Sequence, residues 1–380
     1  AGIWSKREMD NNDLCAVSVV SFPINKAFSV PISNLSNILS ATRKTYVITG
    51  TCDQIQFEEI DNSTCIYAFP YRSSSSILKK IFRYNILQLK IISKLISLRK
   101  YSSSVIFFME FPPFFPMIAA KIFNYKVYWL LPSKISLLSK DISSTLNAIF
   151  SKFCYSLCNA IVLYSPSLVS YWNLESYRHK IFVAHRHFLD FETFTVTTPF
   201  PDRPLLIGYI GRLSEEKGVQ HFARALPVIL SERHDLCALI GGDGNLEDSI
   251  KVSLREEGIT ALVDLPGWIP HDELPKYLNQ LRLLVLPSYT EGLPNIMIEA
   301  MACGTPVLVT PVGAVPDVII DGKNGFIMED NSPECIAKNV MRVLEHSSLE
   351  EIAKAGRWLV RENFAFERTV ERWKEVLDEI

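Results

Sequence analysis

The sequence predicts an α/β protein with two doubly wound, Rossmann-like domains in one chain. Short apolar runs of about five to eight residues recur along nearly the whole length, and longer helical patterns separate them. Continuous runs of leucine and β-branched residues indicate parallel strands that are covered on both faces. A chain of 380 residues has room for two such domains.

The predicted strands form two series. The first consists of 16–22, 45–50, 104–109, 126–131 and 160–165. The second consists of 205–211, 236–242, 262–267, 281–288 and 305–311. Between the two series, residues 193–204 contain three prolines and no apolar period, which indicates a hinge. We therefore expect an N-terminal domain over 1–192 and a C-terminal domain over 205–360.

Charge and glycine divide the chain in the same place. The first 200 residues carry 21 Lys and Arg against 12 Asp and Glu, whereas the remainder carries 18 against 29. Gly2 and Gly50 are the only glycines of the first half, and the other 14 lie in the second. An apolar content of 48% excludes a disordered chain. The halves therefore differ in surface character.

Cysteine usage and hydropathy predict the compartment. The eight cysteines contain no CxxC pair, so we expect reduced thiols, no metal site and a cytoplasmic protein. The most apolar stretch, 105–131, is interrupted by Glu110, by three prolines and by two lysines. It is therefore predicted to be a buried strand–helix–strand rather than a membrane span.

The segment LRLLVLPSYTEGLPNIMIEAMACGTPVLV (281–309) carries the strongest chemical signal. A strand, a loop and a helix that begins near Pro294 follow one another, so the amides of Gly292, Leu293 and Asn295 are candidates for an anion site. A carboxylate beside a phosphate would be repelled, and Glu291 and Glu299 are therefore expected to accept hydrogen bonds from hydroxyl groups. Alternatively, the two acidic residues have no ligand, and the helix dipole simply favours negative charge near the start of the helix.

A second strand–loop–helix segment, GYIGRLSEEKGVQHFARAL (208–226), places Gly211 and Arg212 in a loop and Lys217 at a helix start. The helix dipole disfavours a cation at this position, but a bound anionic ligand would make the cation favourable there. Arg212 would add a forked donor for phosphate oxygens. The alternative is an ordinary surface pair of Lys217 with Glu215 or Glu216. The following LIGGDGN (239–245) offers Gly242 for close backbone approach to a ligand.

EGLPNIMIE, together with AMACGTPVLVTPVGAVPDVI and DGKNGFIM, strongly resembles glycosyltransferase family 4 from about residue 205 onward. The resemblance implies the GT-B fold, two Rossmann-like domains facing a central cleft. It also implies a retaining enzyme that uses a UDP-type or GDP-type sugar donor. The final helix, 361–380, is then expected to cross back onto the N-terminal domain.

The same resemblance assigns the site. Glu291 would contact sugar hydroxyls and Glu299 the ribose, while Arg212 and Lys217 would hold the diphosphate. The backbone at LPGWIP would bind the base, with Gly267, Trp268 and Ile269 as candidates. No DxD pair occurs in the chain, which favours catalysis without a metal ion or another cofactor.

The expected function is therefore transfer of a hexose from a nucleoside-diphosphate sugar to an acceptor, lipid-linked or part of a cell-surface glycan pathway. Two alternatives remain open. One is a GT-B nucleotide-sugar epimerase, and the other is an inactive, membrane-associated nucleotide-sugar binder. The first half is least like the family, because loop 22–34 has no glycine. Glu110 is either an acceptor base, a sugar ligand or a structural carboxylate.

Residues 73–100 contain no acidic residue, and eight basic residues lie between Arg72 and Lys100. At about 100° per residue, Lys79, Arg83, Lys90 and Lys94 share one side of a predicted helix. This pattern is typical of a helix on an anionic membrane surface, so we expect peripheral association with the inner face of the membrane. The alternative is a crossover helix with solvated lysines. No nucleic-acid-binding motif accompanies the charge.

Overall fold

The computed structural model describes residues 16–24, 26–51, 64–70, 77–109, 112–131 and 142–379. The chain divides into two compact units. Unit 1 comprises Ala1–Tyr164, Val169–His187 and Thr369–Ile380, and unit 2 comprises Ser165–Leu168 and Phe188–Arg368. In the ranges described, each unit contains one parallel sheet with helices between its strands.

The first part of the chain alternates strands and helices. Its described elements are β1 (Ala16–Ile24), α1 (Lys26–Ser40), β2 (Thr45–Thr51), β3 (Thr64–Pro70), α2 (Ile77–Leu98), β4 (Ser102–Phe108), α3 (Phe114–Ile122), β5 (Lys126–Leu130), α4 (Ile142–Leu157), β6 (Ala160–Leu163), α5 (Leu168–Tyr171) and β7 (Ile181–Val183). The sheet order is β3-β2-β1-β4-β5-β6-β7.

Strand order in unit 1 reverses at β1, which pairs with β2 on one side and β4 on the other. Parallel strands are joined by right-handed crossovers, so α1 covers one face of the sheet while α2, α3 and α4 cover the other. The strands β4, β5 and β6 are buried along nearly their whole length. This matches their continuous apolar sequences.

The remainder of the chain contains the elements of unit 2 and the final helix. They are β8 (Leu206–Ile210), α6 (Val219–Glu232), β9 (Cys237–Gly241), α7 (Glu247–Glu256), β10 (Val263–Gly267), α8 (Leu274–Leu278), β11 (Leu283–Leu286), α9 (Asn295–Ala302), β12 (Val307–Val309), α10 (Val315–Val318), β13 (Phe326–Ile327), α11 (Pro333–Leu344), α12 (Leu349–Phe364) and α13 (Phe366–Asp378). The sheet order is β10-β9-β8-β11-β12-β13, so the order reverses between β8 and β11. In open parallel sheets, ligands bind at the carboxyl ends of the strands beside such a reversal.

The expected hinge, 193–204, lies inside unit 2. Arg203 is buried and donates from Nη2 to the Cys303 carbonyl at 2.6 Å and from Nη1 to Thr305 Oγ1 at 2.7 Å. Asn279 Oδ1 accepts from the Thr197 amide at 2.8 Å. Burial lowers the pKa of Arg203 to about 10, so it stays charged at neutral pH. These bonds attach the proline-containing stretch to unit 2, and the chain instead passes between the units at 164–165, 168–169, 187–188 and 368–369.

The C-terminal residues form two helices rather than one. After α12 ends at Phe364, Ala365 adopts an extended conformation, and α13 follows. Thr369–Ile380 belongs to unit 1. Trp373 is fully buried and donates from Nε1 to the His185 carbonyl at 3.0 Å. The final helix is therefore part of the packing of unit 1.

Candidate functional site

The residues between β11 and α9, 287–294, form what we call the Glu291 loop. Gly313 packs closely against this loop, because a Cβ on Gly313 would lie 2.1 Å from the Glu291 carbonyl oxygen. The Ala314 amide donates to the Gly292 carbonyl at 2.8 Å. Leu293 and Pro294 are buried, so only their backbone can meet a ligand. Main-chain contacts with residues 313–314 thus help to fix the loop.

Glu291 is anchored by two side chains. Its Oε1 accepts from Lys217 Nζ at 2.7 Å and from Ser288 Oγ at 2.8 Å. The Glu291 side chain is only 12% exposed, so this ion pair is partly shielded from water. The surface alternative for Lys217, a pair with Glu215 or Glu216, is not the arrangement found. Instead, two predicted site residues 74 positions apart meet directly.

The Glu291 loop lies directly against the start of α6. Lys217 ends a short 3₁₀ turn, and Gly218 follows with a φ of 69°. A Cβ on Gly218 would lie 2.0 Å from the Pro287 carbonyl oxygen, so only glycine permits this approach. The start of α6 therefore meets the start of the Glu291 loop.

Neither α6 nor α9 receives a side-chain cap, and neither has an acidic residue in its first turn. The α9 start includes Asn295, whose side chain is exposed. Amides at a helix start have no partner within the helix, and the helix dipole favours an anion there. The two neighbouring helix starts therefore form a site that suits an anionic ligand.

Arg212 lies in the loop 211–218, which we call the Gly211 loop. Its side chain is 64% exposed, and Nη1 lies 3.5 Å from Glu216 Oε1, at the limit of a hydrogen bond. The backbone is better held, because Tyr209 Oη donates to the Arg212 carbonyl at 2.7 Å. The guanidinium is therefore free to turn toward a ligand without breaking a strong contact.

Gly242 follows β9 and contacts the Gly211 loop. Its Cβ, if present, would lie 1.9 Å from the Gly211 carbonyl oxygen, and its amide donates to the Gly267 carbonyl at 2.7 Å. From the sequence, Gly242 is expected to let the backbone come close to a ligand. In the structure its close neighbour is another loop, so the glycine is required for packing whether or not a ligand is bound.

β10 ends at Gly267, which has a φ of 74° and open space around its missing Cβ. Trp268 is largely exposed, whereas Ile269 is half-buried against the core of unit 2. The exposed indole therefore offers a flat apolar surface at the carboxyl end of β10.

Glu299 is buried in α9, and its Oε1 lies 3.1 Å from His271 Nε2. The His271 ring is also 5.2 Å from the Phe194 ring. The hydrogen bond to Glu299 raises the pKa of His271, and nearby Asp272 adds to the effect. His271 and Ser288 were not predicted from the sequence. His271 directly follows the LPGWIP segment, and that position was the only available signal.

The structure thus brings Lys217, Ser288 and Glu291 together in one cluster and Glu299 with His271 in another. Arg212 is held against neither glutamate in the described contacts. Glu110 falls outside the described residues, so the structure leaves its predicted role open. The glycine-free loop expected over 22–34 was wrong: apart from Asn25, which lies outside the described residues, the end of β1 and the start of α1 occupy this stretch.

The described ranges contain neither a candidate metal site nor a candidate membrane-spanning helix. No group of three or more His, Cys, Asp or Glu side chains in these ranges is arranged to hold a metal ion. No helix in the same ranges is long and apolar enough to span a membrane.

Residues 190–357 match the family Glycosyl transferases group 1. An uncharacterized glycosyltransferase of Methanocaldococcus jannaschii is 34% identical over 150 residues, which cover 40% of this chain and 38% of that protein. A capsular polysaccharide biosynthesis glycosyltransferase of Staphylococcus aureus, CapM, is 30% identical over 164 residues, 42% of each protein. The chain therefore spans about two fifths of the length of these relatives. The residues that match the family lie within unit 2.

Among solved structures, the Anabaena protein HepE in complex with UDP has a TM-score of 0.75 at 15% identity. The match covers 97% of this chain and 100% of HepE. The predicted α/β architecture, the GT-B fold, is thereby confirmed. The family match supports the glycosyltransferase superfamily for unit 2, which contains every predicted site residue.

Proposed function

We propose that this chain is a retaining glycosyltransferase of the family 4 type. It transfers a hexose from a UDP-sugar or GDP-sugar to an acceptor. One observation carries the proposal: the Lys217–Glu291 pair lies where the starts of α6 and α9 present uncapped amides. A site that combines a cation, helix-start amides without a side-chain cap and a carboxylate that can accept from hydroxyl groups fits a phosphate joined to a sugar.

Lys217 and Arg212 would hold the donor diphosphate. Lys217 forms an ion pair with Glu291 in the structure. When a phosphate is bound, the Lys217 ammonium would contact both the phosphate and the Glu291 carboxylate. Arg212 is exposed and would contribute a second, forked contact. Charge that develops on the departing diphosphate would then be stabilised by these cations and by the helix amides. We therefore propose catalysis without a metal ion or another cofactor.

Glu291 would accept hydrogen bonds from the donor sugar, and Glu299 would accept them from the ribose. Glu291 Oε1 is already occupied by Lys217 and Ser288, which leaves Oε2 for a sugar hydroxyl. The exposed Trp268, with the backbone of Gly267 and Ile269, would bind the base. The UDP complex of HepE supports a uridine donor.

The acceptor would be held by unit 1 and would be a glycan or a lipid-linked glycan. The match to a capsular polysaccharide glycosyltransferase supports this class. We further propose that the chain acts in the cytoplasm at the inner face of the membrane, where such acceptors are assembled.

Thermal shift measurements with UDP, GDP and their glucose, N-acetylglucosamine and mannose derivatives test donor binding. We expect at least one nucleotide-sugar to raise the Tm, because ligand binding stabilises the folded state. Donor hydrolysis or transfer is then measured for wild type and Glu291→Gln, which keeps the side-chain shape but removes the charge. The variant should still bind the nucleotide and should lose roughly 100-fold in turnover.

Glu256→Gln, at an exposed position in α7, is the matched control and should behave as wild type. No Tm increase with any nucleotide or nucleotide-sugar contradicts the proposed function. Binding without hydrolysis or transfer by the wild type favours the inactive binder. Interconversion of free nucleotide-sugars without an acceptor favours the epimerase.

A further inference from the structure

Helix α2 is apolar on two sides. Leu87, Ile91 and Leu95 are buried against the sheet of unit 1. A second apolar row faces outward, and we call it the α2 stripe: Phe82 is 67% exposed, Ile86 38%, Leu89 65% and Ile96 46%. At about 100° per residue the four side chains fall within about 80° of one another. An ordinary crossover helix has one apolar side, so the α2 stripe needs another explanation.

The neighbouring helices on the same face of the sheet continue this pattern. α3 exposes Phe115, and α4 exposes Phe150 and Phe153. Phe114 connects them, because its ring centroid lies 5.2 Å from Phe115, 5.0 Å from Phe150 and 5.2 Å from Phe153. We call Phe114, Phe115, Phe150 and Phe153 the aromatic group.

The exposed apolar side chains of unit 1 are thus concentrated. Of the seventeen large apolar side chains that are exposed in the described ranges, nine lie on α2, α3 and α4. Scattered exposed residues need no explanation, but a cluster on adjacent elements indicates an interaction surface.

The charge along α2 has one sign. Between Asp61 and Glu110 the sequence contains no Asp or Glu. Arg83, Lys90 and Lys94 lie about 80–120° around the helix from Phe82, along the flank of the α2 stripe. Lys94 Nζ is 3.2 Å from the centroid of Tyr67, and Lys90 Nζ is 5.7 Å from that of Phe69. The lysine stems thus cover the edge strand β3.

We propose that the α2 stripe and the aromatic group dock into the surface of an anionic lipid bilayer. With the stripe inserted, the cations on its flank lie at the level of the lipid phosphates, where long basic side chains place their charge. The sequence argument assigned docking to the basic side of the helix. The structure exposes the apolar stripe instead, so the apolar residues insert and the cations assist.

A bilayer fits better than a protein partner because both features of this surface are non-directional. The surface combines exposed apolar side chains with the basic residues of α2, and between Asp61 and Glu110 the sequence has no acidic group that would specify pairing with a protein. α2 is 22 residues long and would span about 33 Å along the membrane plane. Docking depends on unit 1 and not on the reaction proposed for unit 2, so each can fail alone.

Co-sedimentation with phosphatidylcholine vesicles, with and without phosphatidylglycerol, tests the proposal. Wild type should partition into the anionic vesicles more strongly than into the neutral ones, and salt should weaken the binding. Leu89→Gln/Ile96→Gln should lower partition into anionic vesicles by about tenfold or more, because two large apolar side chains are lost from the interface. Both positions are exposed, so the Tm should not change.

The matched control is Trp358→Gln/Ile320→Gln, which removes two exposed apolar side chains, 67% and 53% accessible, from unit 2. It should bind vesicles as wild type does. Equal binding to neutral and anionic vesicles, or unchanged binding by Leu89→Gln/Ile96→Gln, overturns the proposal. So does a wild type that forms dimers without lipid and does not sediment with vesicles, since the surface would then be an interface between copies.

Discussion

Glu291 and Glu299 lie on one short segment but have partners of different chemistry. Glu291 is held by the ammonium group of Lys217. Glu299 is held by the imidazole of His271, a side chain whose charge changes near neutrality. The contact between His271 and Glu299 therefore changes from an ion pair to a neutral hydrogen bond as pH rises.

This difference predicts a pH-dependent contribution of His271 to stability. The folded pKa of His271 is raised by Glu299, so the stabilisation is complete below the unfolded value of about 6.5 and is lost as pH rises through the folded value. Urea unfolding of wild type and His271→Gln should show a larger difference in unfolding free energy at about pH 5.5 than at about pH 8.

His234→Gln, at an exposed position in unit 2, serves as the control and should show a smaller pH-dependent difference. An unfolding difference for His271→Gln that stays constant from low to high pH, or that grows with pH, contradicts the assigned pairing with Glu299.

At the scale of elements, the site is assembled by loops that contact one another through their backbones. Gly242 lies against Gly211, Gly218 against Pro287, and Gly313 against Glu291. A side chain at any of these glycines would separate two loops that meet at the ends of different strands. The second half therefore needs glycine at these three contacts even before a ligand is considered.

Gly242→Ala is accordingly predicted to be more damaging than Gly258→Ala. Both positions have positive φ, which costs an alanine about 1–2 kcal/mol. Only Gly242 adds a clash with a carbonyl oxygen, and overpacking adds about 1–3 kcal/mol; the space around Gly258 is open. Chemical denaturation of both variants measures the difference, and equal destabilisation would mean that the two loops separate without cost.

The strands predicted from the sequence include the buried central ones. β4, β5, β8 and β11 contain apolar runs because both faces are covered. β3, β7 and β13 were not predicted. β7 and β13 have only three and two residues, too few for a local pattern, and β3 is an edge strand with partly exposed residues. An edge position alone does not prevent prediction, because β10 is also an edge strand and was predicted at 262–267.

The site was predictable where its residues lie within one strand–loop–helix segment. The segment positions of Glu291 and Glu299 follow from local sequence, as does the position of Lys217 before α6. The bonds of Lys217 to Glu291 and of His271 to Glu299 join segments that meet only in three dimensions. For α2, periodicity identified an amphipathic helix, but which apolar side is covered depends on the sheet below it.

On the scale of the whole molecule, the basic first half of the sequence is joined in unit 1 by residues 369–380 from the acidic second half. The first 200 residues carry 21 Lys and Arg against 12 Asp and Glu, and α13 adds Glu371, Glu375 and Asp378 to unit 1 from the C-terminus. Asp378 pairs with Arg43. Unit 1 therefore takes apolar packing, and an acidic partner for Arg43, from a distant part of the chain.

This dependence predicts that Trp373→Ala destabilises unit 1 selectively. Trp373 is fully buried, and its Nε1 bonds to the His185 carbonyl, 188 positions away in the sequence. Loss of a buried tryptophan costs about 3–5 kcal/mol, and here that cost falls on the unit into which the indole packs. Hydrogen exchange measured by mass spectrometry should show faster exchange in β6 and β7 and unchanged exchange in β8 and β11.

The control, Lys374→Ala at the adjacent exposed position, should leave both units protected. Equal loss of protection in the two units would show instead that they unfold as one cooperative body.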